Sequence, residues 1–177
     1  MPQIVVSVGK QENLNLNQLA KFMDTIFSGR LSEEKIKRIR DLWKGKLVLK
    51  GAESIHDVEK AYQLGLDGII ISNHGGRQLD GSRSPFDQVK AISDAVGDKL
   101  DVICEGGFQR GTHMLKALSM GAKACAGGRL YLYALAAAGQ EGVERALNLY
   151  KTELVRDMKL MGCTSINQLT RKNLKFR

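Results

Sequence analysis

The sequence predicts an α/β fold of the (βα) barrel type, and three features of its 177 residues lead to that prediction. Short apolar runs that end in glycine alternate with helical segments, which is the pattern of βαβ units around a buried parallel sheet. Two stretches, 60–77 and 116–129, repeat the order helix end, glycine, strand and Gly-Gly-Arg. Repeated βα units of one pattern indicate a barrel. Glycines and polar residues also collect after the strands, at the edge where such folds carry their active sites.

The part of the chain before the repeats is predicted to be largely helical. A weak helical pattern covers 16–27, and the apolar run at 3–8 has the composition of a strand. The segment 31–45 is a clearer helix, which Ser32 can cap and Gly45 can end. Its large apolar side chains share one face: Ile36, Ile39 and Trp43.

Four strands and the helices between them follow from local signals. The strands are expected at 47–51, 67–76, 100–107 and 122–129, and the helices at 54–65, 84–97, 111–121, 130–138, 141–162 and 164–174. Ser54 and Asp57 form a capping-box pattern at the first of these helices. Ser165 and Gln168 do the same at the last one. Pro85 suits the first turn of its helix.

Composition limits the classes of function. The chain is 43% hydrophobic and 26% charged, as soluble globular domains are. It has no run of about 18 apolar residues that would span a membrane, and its N-terminus does not resemble a secretory signal. The net charge of +8 indicates a solvated basic surface or attraction of anionic ligands or lipid headgroups. No nucleic-acid motif accompanies the charge, so nucleic acid is not an expected partner.

The cysteines indicate a reduced protein without a zinc site. Cys104, Cys125 and Cys163 are odd in number and widely spaced, which fits neither a disulfide framework nor a metal cluster. Cys104 and Cys125 lie in apolar runs and are expected to be buried small hydrophobes. A reducing cytoplasm is therefore the expected location.

Glycines after the third and fourth strands indicate a phosphate site. The stretch 105–111 leads from a strand into a helix, and 127–129 follows the next strand. Such glycines let backbone N–H groups approach an anion, and the helix N-terminus adds a favourable partial charge. Arg110 or Arg129 could add bidentate contacts. The alternative is that these glycines only form tight turns.

The stretch ISNHGGRQLDG at 71–81 places a histidine between an apolar strand and two glycines. His74 in this position can act as a general base. Arg77 could hold a substrate carboxylate with its guanidinium fork. The alternative is a capping histidine beside a surface arginine. His56 and His113 lie in helical stretches and are interpreted as structural or surface residues.

Lys50 closes the first predicted strand. If its side chain points inward, the ammonium group needs an anionic partner, and a reduced flavin is one such partner. The alternative of a surface lysine is weakened by the apolar residues that precede it.

The segments 47–81 and 104–143 resemble the FMN-dependent 2-hydroxy acid dehydrogenases and oxidases, and SNHGGRQLDG at 72–81 is the most specific part. The stretch 132–169 is most similar to the L-lactate dehydrogenases of that family. The resemblance covers roughly residues 30–175.

The resemblance implies a role for each matching residue. His74 would be the base that takes the proton as the 2-hydroxy acid is oxidised, and Arg77 would bind the substrate carboxylate. Lys50 and Ser72 would contact the flavin ring. The other positions that the family uses for FMN are Glu105, Gly106, Gly107, Gln109, Gly128 and Arg129.

Three residues depart from the family pattern. Glu105 stands where aspartate is usual, Gln109 where arginine is frequent, and Leu130 where proline often follows the arginine. We therefore expect binding of the flavin phosphate either to be weaker or to depend on Arg129 and Arg110.

The length of the chain also departs from the family, whose fold is an eight-stranded barrel of about 250 residues or more. The expected fold is a (βα) half barrel over 31–177, resembling strands five to eight of a TIM barrel, with helices at its C-terminus. Residues 1–30 are expected to be an extension of uncertain structure. A half barrel exposes edge strands and an apolar face, which predicts a homodimer or a complementing chain.

Three functional hypotheses follow. The first is FMN-dependent oxidation of a 2-hydroxy acid such as L-lactate, in the cytoplasm or at the inner face of the membrane. The second is a half barrel that binds flavin or phosphate without efficient turnover. The third is a fragment that binds no flavin.

Overall fold

A four-stranded parallel sheet forms the centre of the computed structural model, which describes Asn17 and residues 31–175. The contacts divide the chain into Met1–Ile36 and Lys37–Arg177, and the sheet belongs to the second unit. The strand expected at 3–8 lies outside the described residues. So does the helix expected at 16–27, except for Asn17, which is helical.

The strands follow one another in space in the order in which they occur along the chain. They are β1 (Val48–Lys50), β2 (Gly68–Ile71), β3 (Asp101–Glu105) and β4 (Ala124–Ala126), and each adjacent pair is parallel. Each connection contains one α-helix, so the sheet consists of consecutive βα units. This is the predicted arrangement of part of a (βα) barrel.

The helices are α1 (Glu33–Leu42), α2 (Ile55–Gln63), α3 (Pro85–Val96), α4 (Gly111–Met120) and α5 (Arg129–Leu160). The predicted start of α2 is confirmed, because the Ser54 hydroxyl accepts a hydrogen bond of 3.1 Å from the Asp57 amide. Pro85 opens α3, as predicted. No helix in the described part of the chain has both the length and the apolar character needed to cross a bilayer.

The helix predictions near the C-terminus are confirmed in one case and wrong in the other. The predicted helices 130–138 and 141–162 are both present within α5, where non-helical backbone at Ala138 and Gly139 separates them. The predicted helix 164–174 is instead a pair of 3-10 turns. The Ser165–Gln168 capping box is present, but Leu169 is extended and buried beside Leu115. The chain therefore leaves the helical conformation at Leu169, where the side chain packs into the core cluster.

The helix predicted for 31–45 ends earlier than expected. It stops at Leu42, before Gly45, and the Arg40 guanidinium binds the carbonyl groups of Trp43 and Gly45. Both Ile39 and Trp43 are exposed. Arg40 therefore turns the chain toward β1 without a further helical turn.

The two faces of the sheet have different environments. Side chains that alternate along β2 and β3 are fully buried on the helix-covered face: Ile69, Ile71, Val102 and Cys104. On the opposite face, Ile70 and Ile103 are only partly buried, and Val48 is 40% exposed. The described residues thus cover one face of the sheet and leave the other open, as expected for part of a barrel.

Asp67 joins the beginning of β1 to the beginning of β2. Its carboxylate accepts hydrogen bonds from the Leu47 amide at 2.9 Å, from Lys46 at 2.9 Å and from Arg40 at 3.0 Å. The bond from the Leu47 amide, followed by that from Lys46, lowers the pKa of Asp67 to about 2. This carboxylate fixes the edge of the sheet opposite to the candidate site.

The cysteines of β3 and β4 lie side by side. Cys104 and Cys125 are register partners, and both carry free thiols. Cys104 is buried and Cys125 is half-buried, and burial raises the pKa of each thiol to about 12. Their predicted role as small buried hydrophobes is confirmed for Cys104 and holds in part for Cys125.

Candidate functional site

A cavity of about 570 Å³ lies at the carboxyl ends of the strands. Its walls come from the loops after β2, β3 and β4 and from the start of α5. Eight of the predicted site residues line it: His74, Arg77, Glu105, Gly106, Gly107, Gln109, Gly128 and Arg129. Lys50, Ser72 and Arg110 are not part of its lining. The sheet topology therefore gathers most of the predicted residues at one place.

His74 lies on a 3-10 turn, His74–Gly76, directly after β2. It is the non-glycine residue with a positive φ in the described part of the chain, at 53°. The His74 amide donates to the Ser72 hydroxyl at 3.1 Å, and the Gly75 amide donates to the Asn73 side-chain oxygen at 3.0 Å. These hydrogen bonds stabilise a backbone conformation that residues other than glycine rarely adopt.

The His74 imidazole lies against the end of β1. A Cβ atom placed on Gly51 would be 3.0 Å from the imidazole Cε1 atom, and Gly51 has a φ of 94°. A side chain at this position would therefore meet both the ring and an unfavourable backbone conformation. The glycine after Lys50 thus gives His74 its space.

Lys50, Ser72 and Glu105 form a polar cluster on the open face of the sheet. The Lys50 ammonium is 2.8 Å from Glu105 Oε1, and the hydroxyl of the buried Ser72 donates to the same oxygen at 3.4 Å. Lys50 is 42% exposed. The anionic partner predicted for Lys50 is, within the described chain, Glu105.

The start of α4 is closed by a carboxylate from α5. Glu153 accepts a hydrogen bond of 2.6 Å from the Gly111 amide and one of 2.7 Å from Arg110 Nε. The Gly111 amide, and to a smaller extent Arg110, lower the pKa of Glu153. Arg110 was expected to support a phosphate, but its Nε–H group is engaged by Glu153 instead.

The start of α5 has no such cap. Gly128 is its N-cap residue, no side chain caps the helix, and no acidic residue lies in its first turn. The free amide groups of a first turn and the helix dipole favour an anion. Arg129 lies at the same point, and its guanidinium donates to the Gly75 carbonyl at 3.0 Å. The structure therefore offers the α5 start, rather than the α4 start, to an anion.

The remaining predicted residues have simple environments. Arg77 is exposed at the cavity. His56 is exposed on α2, and the half-buried His113 accepts a weak hydrogen bond of 3.4 Å from the Gln109 amide. This contact fixes the loop before α4.

Four apolar lining residues were not predicted as part of the site: Phe108, Leu130, Leu132 and Tyr133. The sequence 130–138 indicated an apolar helix, but nothing in it separated the cavity side from a packed side. A signal was nonetheless present, because Leu130, Leu132 and Tyr133 come just after the Gly-Gly-Arg of the fourth strand, and Phe108 directly follows the Gly-Gly pair of the third.

A parallel βα sheet whose carboxyl edge combines an open helix start, an arginine and a histidine is typical of (βα) barrel enzymes that hold a phosphate-bearing cofactor. The sequence profile of the FMN-dependent dehydrogenases matches residues 2–176. An L-lactate dehydrogenase of Caulobacter sp. (strain K31) is 39% identical over 163 residues, which are 92% of this chain and 43% of the relative. The L-lactate dehydrogenase of Bartonella quintana (strain Toulouse) is 36% identical over 169 residues, 96% of this chain and 44% of the relative.

Solved structures of flavin enzymes are also similar to this chain. The flavin-binding domain of baker's yeast flavocytochrome b2 is similar with a TM-score of 0.79 and 39% identity, covering 82% of this chain and 38% of that one. For a mandelate oxidase, the TM-score is 0.77 at 38% identity, with 81% and 42% covered. The chain belongs to the FMN-dependent dehydrogenase family.

Both the predicted family and the predicted partial barrel are confirmed. The chain spans less than half the length of each of these four relatives. The family profile also includes most of residues 1–30, which the resemblance noted in the sequence did not reach.

Proposed function

We propose that this chain provides the FMN-binding and base-bearing part of a site that oxidises a 2-hydroxy acid to the 2-oxo acid. The observation that carries the proposal is the shared cavity, because His74, Arg77 and the open start of α5 with Arg129 all line it. A base, a carboxylate-binding group and an anion site thus lie within one volume.

The residues at the cavity fit FMN. The phosphate would take the first-turn amides of α5 and the Arg129 guanidinium, and the glycines beside them leave room for close approach. Nothing lies within 4 Å of a Cβ atom placed on Gly107, Gly127 or Gly128. The flavin ring would lie toward the cluster of Lys50, Ser72 and Glu105, whose ammonium group would stabilise negative charge on the reduced ring. Bound FMN would supply the two-electron acceptor.

His74 and Arg77 would act on the substrate. The Arg77 guanidinium would hold the carboxylate in its fork, and His74 would take the proton from the hydroxyl group. Neither imidazole nitrogen of His74 is hydrogen-bonded by a residue of the described chain, so the ring is free to accept that proton. L-lactate or a similar acid is the proposed substrate, since relatives of 36–43% identity are named L-lactate dehydrogenase.

The second candidate is binding of FMN or phosphate without efficient turnover. The environment of His74 favours this candidate, because no carboxylate of the described residues contacts the imidazole ring. A base without such a partner loses both orientation and stabilisation of its charged form. A second copy of this chain, or a complementing chain, would bind the open face of the sheet and supply the missing carboxylate. The proposed location of the assembly is the cytoplasm or the inner membrane surface. Light scattering of a well-dispersed monomer with full activity would contradict the need for this partner.

The test begins with an absorption spectrum of the purified protein after incubation with FMN and desalting. We expect flavin bands in the wild type and in Arg145→Ala, which changes an exposed arginine of α5. Arg129→Ala should retain much less flavin, because a charge-assisted contact to the phosphate is lost.

L-lactate is then added without oxygen. Bleaching of the flavin in the wild type but not in His74→Gln supports the proposed oxidation. Bound flavin that stays oxidised supports the second candidate. Absence of retained flavin under all conditions rejects both.

A further inference from the structure

Arg129 is part of two structural units at once. It is the first residue of α5, beside the open amides of that helix, and its guanidinium reaches back to the turn after β2. The contact to the Gly75 carbonyl joins residues that are 54 positions apart. Arg129 and Gly75 both line the cavity.

The turn that Arg129 contacts is conformationally demanding. His74, Gly75 and Gly76 have φ values of 53°, 69° and 74°, so three consecutive residues are left-handed. Side chains of Ser72 and Asn73 bind the amides of this turn, whereas the Gly75 carbonyl is bound by Arg129. The carbonyl side of the turn therefore depends on a residue outside it.

We propose that Arg129 is a positioning residue that couples anion binding at the start of α5 to the conformation of the His74 turn. The inference rests on the anion site of the proposed function, but not on the oxidation of a 2-hydroxy acid.

The physical basis is the number of donors on one rigid group. A guanidinium carries several N–H groups in a fixed plane, so one edge can bind a carbonyl while another binds an anion. An exposed arginine with a single contact retains much side-chain freedom. An anion that fixes the guanidinium also fixes its bond to Gly75, and the coupling acts equally in both directions.

The test uses the imidazole resonances, which are few because the chain has three histidines. Uniformly ¹⁵N-labelled protein is titrated with inorganic phosphate, and the rings are assigned with His→Gln variants. We expect the His74 ring and the Gly75 and Gly76 amides to shift together with the first-turn amides of α5. The rings of His56 and His113 should shift less.

Arg129→Ala separates coupling from a direct effect of phosphate charge. Phosphate affinity should fall about tenfold or more, since a charge-assisted bond is lost. At saturating phosphate, the α5 amides should still shift while the His74 ring should not. Arg145→Ala should behave as the wild type. A His74 shift in saturated Arg129→Ala equal to that in the wild type would overturn the proposal.

Two glycine variants provide a matched second test. A Cβ atom on Gly75 would lie 2.8 Å from the Arg129 guanidinium, whereas one on Gly76 would meet nothing within 4 Å. Both residues are left-handed, so both alanine variants carry similar backbone strain.

Gly75→Ala should bind phosphate without a shift of the His74 ring, and Gly76→Ala should keep the shift. Equal behaviour of the two variants, or a wild type in which phosphate moves the α5 amides but not His74, rejects the coupling. Failure of lactate to reduce bound FMN would leave these outcomes unchanged, so the two proposals fail separately.

Discussion

The starts of α4 and α5 follow the same local sequence pattern but have different environments. Each helix follows a parallel strand and a Gly-Gly pair at the same edge of the sheet. At α4, Glu153 fills the first turn with a carboxylate of the chain itself. At α5, no side chain caps the helix and the cavity lies in front of it. A glycine-rich helix start is therefore available to an anion only when no distant residue of the chain already binds its amides.

The largest expected effect concerns the glycines of the two helix starts. A Cβ atom on Gly111 would lie 2.7 Å from Glu153 Cβ and 2.8 Å from the Leu154 amide nitrogen. Gly111→Ala should therefore destabilise the fold by about 1–3 kcal/mol through overpacking. Gly128→Ala meets no neighbour, so only the poorer N-cap preference of alanine should lower the unfolding free energy, by at most about 1 kcal/mol. Urea unfolding followed by circular dichroism measures both.

Phosphate binding should show the opposite order. Gly128→Ala adds a methyl group at the open helix start and should weaken phosphate binding, while folded Gly111→Ala should bind normally. Similar losses of stability in the two variants would contradict the distinction between a packed and an open helix start.

A smaller effect is expected for Glu153→Gln. The folded-state pKa of Glu153 is lowered, so its contribution to stability is complete above the unfolded value of about 4.3 and is lost as the pH falls through the folded value. The melting temperature of the variant should be a few degrees below that of the wild type near pH 7, and the two curves should converge as the pH falls through the lowered folded-state pKa of Glu153. Thermal melts across this pH range test the prediction, and a difference that does not depend on pH would refute it.

The smallest effect is expected at the Lys50–Glu105 pair in the open site. Lys50 is 42% exposed, and exposed ion pairs contribute less than about 1 kcal/mol. A double-mutant cycle of Lys50→Met and Glu105→Gln should therefore give a coupling energy below that value. A larger coupling would mean that this pair anchors the fold, as Glu153 does, and is not available to a ligand.

Most of the fold could be predicted because the signals are local. The short apolar runs ending in glycine located all four strands, and Ser54 and Pro85 located two helix starts. The helix predicted at 164–174 was wrong. Its capping box is a local signal, whereas the burial of Leu169, where the helical path ends, depends on distant residues.

The candidate site could be predicted as a list of residues but not as a set of contacts. Parallel strands bring their carboxyl ends together, so His74 and Arg129 were expected at one edge. Neither the bond from Arg129 to Gly75 nor the closure of α4 by Glu153 has a local signal, since these pairs lie 54 and 42 positions apart. For this reason the sequence offered Arg110 as well as Arg129 to a phosphate, and it could not indicate that Arg110 Nε binds Glu153.

The side-by-side cysteines of β3 and β4 have a practical consequence for labelling. The thiolate is the form that attacks alkylating reagents, and a pKa of about 12 leaves Cys104 and Cys125 almost entirely protonated at neutral pH. Cys163 is also buried. A cysteine introduced on the exposed surface of α5 should therefore react with a maleimide dye far faster than the native three, and a fluorescent probe can report on this chain without removing any of its own thiols.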